Sequence, residues 1–158
     1  MANVTIRPVL PSDRAWVRRL LVEHWGATQI VSRGHVYQAD GLPAFAAAIE
    51  DRPVGLAIYR ISGDECEIVT LNSMILGAGR PLVDAVRQAA LGAGCGRVWL
   101  ITTNDNLGAL RFYQKIGFVL VAVHANALEV SRRLKPSIPL IGIGGIPLRD
   151  EIELEMRL

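Results

Sequence analysis

The sequence predicts a mixed α/β fold: a central sheet of about six to seven strands, flanked by helices, with a single parallel crossover. Three stretches predict it. Residues 67–73, "EIVTLNS", read as a strand that leads through Gly77-Ala78-Gly79 into a helical pattern. The next strand, "RVWLITT" at 97–103, is nearly all apolar, as expected where both faces of a sheet are covered. A strand, helix and strand in that order make a right-handed parallel crossover. Upstream, residues 43–73, "PAFAAAIEDRPVGLAIYRISGDECEIVTLNS", read as three antiparallel strands with turns at 50–53 and 62–64.

The other elements follow in order. Residues 3–8 alternate and end at Pro8, which suits a short edge strand. "LPSDRAWVRRLLVEHWG" (10–26) has the stripe Trp16, Leu20, Leu21 and Trp25, with Ser12 or Asp13 as cap and Gly26 as stop. Residues 27–41, "ATQIVSRGHVYQADG", have no clean period and read as a loop or a short helical turn. In 81–93, Leu82, Val83, Val86, Ala89, Ala90 and Ala93 share one helical face. Pro81 sits in the first turn, where its missing N–H costs nothing. "NDNLGALRFYQKIG" (104–117) is a second helix, capped by Asn104 or Asp105. "FVLVAVHA" (118–125) is a strand, 126–134 a helix, and the strictly alternating "EIELEMRL" (151–158) the last strand. With no repeat and no linker, residues 1–158 read as a single domain.

Composition narrows the function. The chain is 51% apolar and 20% charged, so it is globular. Its net charge of +2, without a basic run, does not suit nucleic acid. No apolar stretch approaches the roughly 20 residues that span a bilayer, and Pro8 and Pro11 interrupt any signal-peptide core. Cys66 and Cys95 form no CxxC pair and read as buried thiols, which points to the cytoplasm. His24, His35 and His124 show no metal spacing.

A glycine turn before a helix offers unpaired backbone N–H groups and the positive end of the helix dipole to an anion. Gly77-Ala78-Gly79 alone is a weak signal, because such turns need glycine sterically. Residues 102–118, "TTNDNLGALRFYQKIGF", sharpen it. Asn106, Ala109, Phe112, Tyr113, Gly117 and Phe118 fall on every position of the pattern Asn-x-x-Ala-x-x-(Leu/Phe)-Tyr-x-x-x-Gly-Phe. With that pattern the chain resembles the GNAT superfamily of N-acetyltransferases, over nearly its whole length.

The resemblance implies acetyl transfer from acetyl-CoA, as co-substrate, to a primary amine on a small molecule or peptide. Leu71, Asn72, Ser73, Ile75, Leu76, Gly77, Ala78, Gly79, Arg80, Asn106 and Tyr113 are the implied cofactor contacts. A backbone N–H near Leu71 or Asn72 would polarise the thioester carbonyl. Tyr113 would protonate the departing thiolate. Glu67, matching the family's glutamate base on the strand before the loop, would take the amine's proton. His35 and Tyr37, in the region that builds the family's acceptor side, become substrate-contact candidates. Homodimers are common among proteins of this kind.

The loop departs from the family's (Gln/Arg)-x-x-Gly-x-(Gly/Ala). One alignment sets Gly77 and Gly79 on its last two glycines, with Met74 in place of Gln/Arg. The other, which fits the strand better, sets them on the first two, with Leu76 in that place and two residues deleted before Arg80. Either way a polar anchor is lost, and Arg80 is left to compensate by charge. An eroded loop also suits a non-catalytic binding module of the same fold. "IGIGGIP" (141–147) opens no helix and reads as a connector. Glu151, Glu153 and Glu155 read as the solvent face of the last strand, His124 as a structural histidine, and Trp16, Trp25 and Trp99 as core residues.

Overall fold

The computed structural model describes residues 3–158. Seven strands form one sheet, in the spatial order β1 (Thr5–Pro8), β4 (Ala44–Ile49), β5 (Arg52–Ser62), β6 (Glu65–Ser73), β7 (Arg97–Thr103), β9 (Glu151–Arg157) and β8 (Val119–His124). Among the described residues, only the β6–β7 pair is parallel. Helices α2 (Gly79–Gly92) and α3 (Leu107–Lys115) cover one face, where Leu82, Val83, Val86 and Tyr113 pack on Ala57, Ile68 and Leu100. Helix α1 (Arg14–Trp25) covers the other, with Val17, Leu20 and Leu21 on Leu56, Ile58 and Val69. Helix α4 (Ala127–Leu134) lies between β8 and the long connection to β9. Outside residues 27–41, the elements, their order and the parallel crossover agree with the sequence reading, and Pro8 does end an edge strand. At the opposite edge, β8 leaves Val119, Leu120, Val121 and Val123 exposed.

Five expectations are corrected. Residues 27–41 are no loop but mostly a hairpin, β2 (Gln29–Ser32) against β3 (His35–Gln38). Its two turn residues, Arg33 and Gly34, both have positive φ, 48° and 75°, which matches the twist of a two-residue hairpin. Asp13 stands before α1 without capping it. Its carboxylate instead accepts from Leu10 N and pairs with Arg7 at 2.6 Å, and these bonds hold its pKa down to about 2. Helix α3 is capped by Asn106, whose Oδ1 accepts from Ala109 N at 3.1 Å. Asn104 and Asp105, the expected caps, hold the connector: Asn104 Oδ1 accepts from Arg149 N and Asp150 N, and Asp105 Oδ2 from Ile143 N. Trp25 is 40% exposed, its indole N–H donating to Asn72 Oδ1, while Trp16 and Trp99 are half-buried at the margins.

The fifth correction concerns β9. Glu151 and Glu155 are buried, and Glu153 is nearly so. Arg97 reaches Glu153 at 3.0 Å and Glu155 at 3.3 Å, and His124 bonds Glu153 at 3.0 Å. Strict alternation gave the strand but not which face is wet: Arg97, His124 and Arg33 of the β2–β3 hairpin cover these glutamates. His124 is thus the partnered structural residue expected. The two cysteines are buried, and burial pushes the Cys66 thiol up to about 12.

The connector 141–147 closes through an Ile141–Pro147 bridge over buried Asp105. A Cβ on Gly142 would collide with the Asp105 carboxylate. Gly142→Ala should therefore destabilise the chain by about 1–3 kcal/mol, as overpacking does. An unchanged urea midpoint would show that the connector yields freely.

Candidate active site

The site begins where the parallel pair comes apart. Pairing of β6 with β7 stops at Ile68 and Leu100, although β6 runs on to Ser73 and β7 to Thr103. Each stays bonded to its outer neighbour, β5 or β9. At the same point β6 bulges: Ile58 faces Thr70 and Tyr59 faces Ile68, which leaves Val69 extra. The bulge changes the parity of the strand. Ile68 and Leu71, three apart, both pack toward α2 and α3, while Val69 packs toward α1. A wedge thus opens through the sheet, with a cavity on each side.

On the α2–α3 side lies a groove of about 680 Å³. Leu71 and Ser73 come from the end of β6, Ile75, Leu76 and Gly77 from the turn, and Gly79 and Arg80 from α2. Tyr113 and Phe112 of α3 face them. Most of the residues expected to hold the cofactor are therefore gathered in one place. Three are not: Ala78 is buried under the turn, Asn72 receives the Trp25 indole, and Asn106 lines the opposite cavity while capping α3. Both glycines have local reasons. Gly77 has φ +91°, and a Cβ on Gly79 would come within 3.0 Å of the Phe112 ring.

The groove suits an anionic ligand. It ends at the N-terminus of α2, whose first turn carries no acidic residue, beside the exposed Arg80. No polar side chain stands at the tip of the turn, where Leu76 is fully exposed. Tyr113 is 7% exposed, and burial raises its pKa, so the phenol keeps its proton. Its ring packs edge-on against Phe112 and Phe118.

On the α1 side lies a cavity of about 400 Å³, lined in part by Glu67, Glu151, Ser32, Thr102 and Asn106, with Ile30, Val69, Ile101, Leu128 and Leu148 as apolar wall. Glu67 is 2% exposed. Its Oε2 accepts from Ser32 Oγ at 2.7 Å, and its Oε1 has no partner among the described residues. Burial pushes its pKa up. The Ser32 bond, the neighbouring Tyr37 phenol and the Arg60 charge pull it back, and the Glu151 charge adds to the rise. His35 and Tyr37 line a separate recess with Arg60 and Trp99, which Glu67 also borders. There Arg60 stacks on the Tyr37 ring at 5.2 Å.

Glu151 and Ser32, which bear on the two carboxylates of this cavity, are among its residues that sequence reasoning missed. Ser32 lay in the supposed loop, and Glu151 was assigned to solvent. The available signal was "SRG" as a hairpin turn. No group of three metal-ligating side chains occurs among the described residues.

The sequence model of the acetyltransferase (GNAT) family matches residues 14–118. Two proteins of Bacillus subtilis (strain 168), each described as uncharacterized, are similar along the chain. YdhI is 44% identical over 82% of this chain and 83% of its own length. YxbD is 37% identical over 98% of this chain and 99% of its own. Among solved structures, a GNAT family acetyltransferase from Elizabethkingia anophelis with acetyl-CoA bound aligns with a TM-score of 0.69 at 21% identity, over 99% of each chain. Arabidopsis thaliana Naa50, in complex with a bisubstrate analogue, aligns with a TM-score of 0.71 at 18% identity, over 98% of this chain and 99% of its own.

Proposed function

The chain belongs to the acetyltransferase (GNAT) family, and we propose that it moves an acetyl group from acetyl-CoA to a primary amine by direct attack in a ternary complex. The observation that carries this is the wedge between β6 and β7: an anion-suited groove on one face of the sheet and a carboxylate-lined cavity on the other. A thioester placed in the wedge meets both. The bound acetyl-CoA of the Elizabethkingia anophelis protein supports the choice of donor.

Acetyl-CoA, when bound, supplies the activated acetyl group. Leu71, Ser73 and the 75–80 turn would hold it, with the N–H groups of α2 and the Arg80 charge toward its phosphates. The unpaired edge of β6 beyond Ile68 provides backbone donors for the carbonyl oxygen. Glu67 takes one proton from the ammonium. The freed nitrogen bonds to the carbonyl carbon as the carbon–sulfur bond breaks, and Tyr113 passes its proton to the sulfur. The nitrogen's second proton restores the phenol, and Glu67 releases its own to solvent. The products are an N-acetyl amine, free CoA thiol and one proton. Holding both reactants in the wedge supplies much of the rate.

Titration calorimetry with acetyl-CoA tests the reading, and an absence of binding heat sinks it. Arg80→Ala should weaken acetyl-CoA about tenfold, as expected for one charge-assisted phosphate contact. Unchanged affinity would remove Arg80 as the substitute for the missing anchor. The exposed Leu76 favours a second reading, a binding module without turnover. Acetyl-CoA binding with no transfer to any amine would support it. The unpartnered, buried Glu67 argues for catalysis. We also propose a cytoplasmic location and a homodimer through the exposed β8 edge, which light scattering checks. No described helix is long and apolar enough to cross a membrane.

A further inference from the structure

Granting the acetyl-transfer reading, the geometry points to the class of acceptor: a small primary monoamine with an apolar body, its ammonium held between Glu67 and Glu151. The two carboxylates stand on β6 and β9, strands separated in the sheet by β7, and are 2% and 3% exposed. Consecutive residues of the β2–β3 hairpin hold one each. Ser32 Oγ donates to Glu67 Oε2 at 2.7 Å, and Arg33 N donates to Glu151 Oε2 at 3.3 Å. The Arg33 guanidinium lies 3.6 Å from Glu151 Oε1. Glu67 Oε1 is buried and has no hydrogen-bond partner among the described residues. Arg33 pairs with Glu151, and the Arg60 charge also acts on Glu67, but among the described residues no cation stands within ion-pair distance of Glu67. An unpaired buried carboxylate is costly, and an ammonium supplies both the missing donor and the counter-charge. Arg60 does not fill this place, because it stacks on the Tyr37 ring in the neighbouring recess.

Part of the remaining lining favours an apolar body, although Thr102, Thr103, Asn106, Ser131 and Ser137 also reach the cavity. Ile30, Val69, Ile101, Leu128 and Leu148 offer a hydrocarbon wall. Lys135 also lines the cavity, but its Nζ donates to Trp25 O at 2.8 Å and to Gln29 O at 3.1 Å, so it faces backbone carbonyls. An amino acid's carboxylate therefore meets no free lysine. A polyamine's second charge meets no second unpaired anion among the described residues, and the cavity is small for an aminoglycoside. The cavity, about 400 Å³, is near the small end of the ~300–1,000 Å³ range of small-molecule sites.

Steady-state kinetics on the wild-type protein with acetyl-CoA tests this. Hexylamine and 2-phenylethylamine are compared with phenylalanine, spermidine, kanamycin and a pentapeptide with a free N-terminus. The monoamines should exceed the others by about tenfold or more in kcat/KM. Glu151→Gln should raise the KM for hexylamine about tenfold and leave kcat within about threefold, and Glu151→Asp should recover part of the loss. A merely structural Glu151 would not split the two constants that way. Peptide, spermidine, kanamycin or phenylalanine as the best substrate overturns the inference, as does an unchanged KM in Glu151→Gln. Should that variant not fold, the wild-type panel decides alone. Transfer to a peptide with tight acetyl-CoA binding overturns only the acceptor class, whereas no acetyl-CoA binding overturns the acetyl-transfer reading with it.

Discussion

Glu67→Gln should lower kcat/KM at neutral pH by about 10²- to 10⁴-fold, the span of a lost general base. The substitution keeps shape and keeps an oxygen to accept from Ser32 Oγ. It removes only the charge that takes the proton. Acetyl-CoA affinity should not change, because the groove opens on the other face of the sheet. Nor should the fold suffer. Burial raises the Glu67 pKa above its ordinary 4.5, so the folded chain holds that proton more tightly than the unfolded chain does. The stability this adds is complete below the unfolded value and is lost as pH rises through the folded one. At neutral pH the buried charge is therefore a cost, and the glutamine variant should be at least as stable. The same sign fixes the rate profile. Wild-type kcat/KM should rise with pH through a midpoint above 4.5 and flatten, and the variant should lack that limb. A variant with the wild-type rate and the same limb would hand the proton to water and leave Glu67 a structural role.

The sequence exposed the half of the site that depends on local pattern. Gly77, Gly79 and Tyr113 sit on turns and helices whose period is visible within a dozen residues, and they meet in one groove. The other half depends on pairing across the chain. Ser32 and Glu67 are 35 positions apart, and Arg33 and Glu151 are 118 apart. No local period reports that the β2–β3 hairpin folds over the start of β9, so Glu151 read as wet. The hairpin was missed for a related reason. Its strands are four residues each, too short for alternation to stand out, and Arg33 takes a left-handed conformation more usual for glycine or asparagine. The misplaced α3 cap follows from three adjacent candidates, Asn104, Asp105 and Asn106. Tertiary contacts with the connector claim the first two.

Tyr113→Phe should lower kcat by about 10²-fold, near the lower end for a general acid, because a thiolate is already a fair leaving group. The ring keeps its edge contacts with Phe112 and Phe118, centred 5.1 and 5.4 Å away, so packing and melting temperature should hold. Acetyl-CoA affinity should also hold, since the hydroxyl is asked to act only as sulfur departs; the loss belongs in kcat. The burial that raises the phenol's pKa has two opposed effects. It keeps the acid protonated across the working range, so no basic limb from Tyr113 should appear below about pH 10. It also makes the phenol a weaker acid in the ground state. The site must then lower that barrier when negative charge gathers on sulfur, where a buried O–H donor is worth more than in water. That trade predicts a further observable. Acyl donors with more acidic thiol leaving groups should lose less on Tyr113→Phe than acetyl-CoA does. An equal loss across such donors, or an unchanged kcat, would place protonation outside the rate-limiting step and remove Tyr113 as the acid.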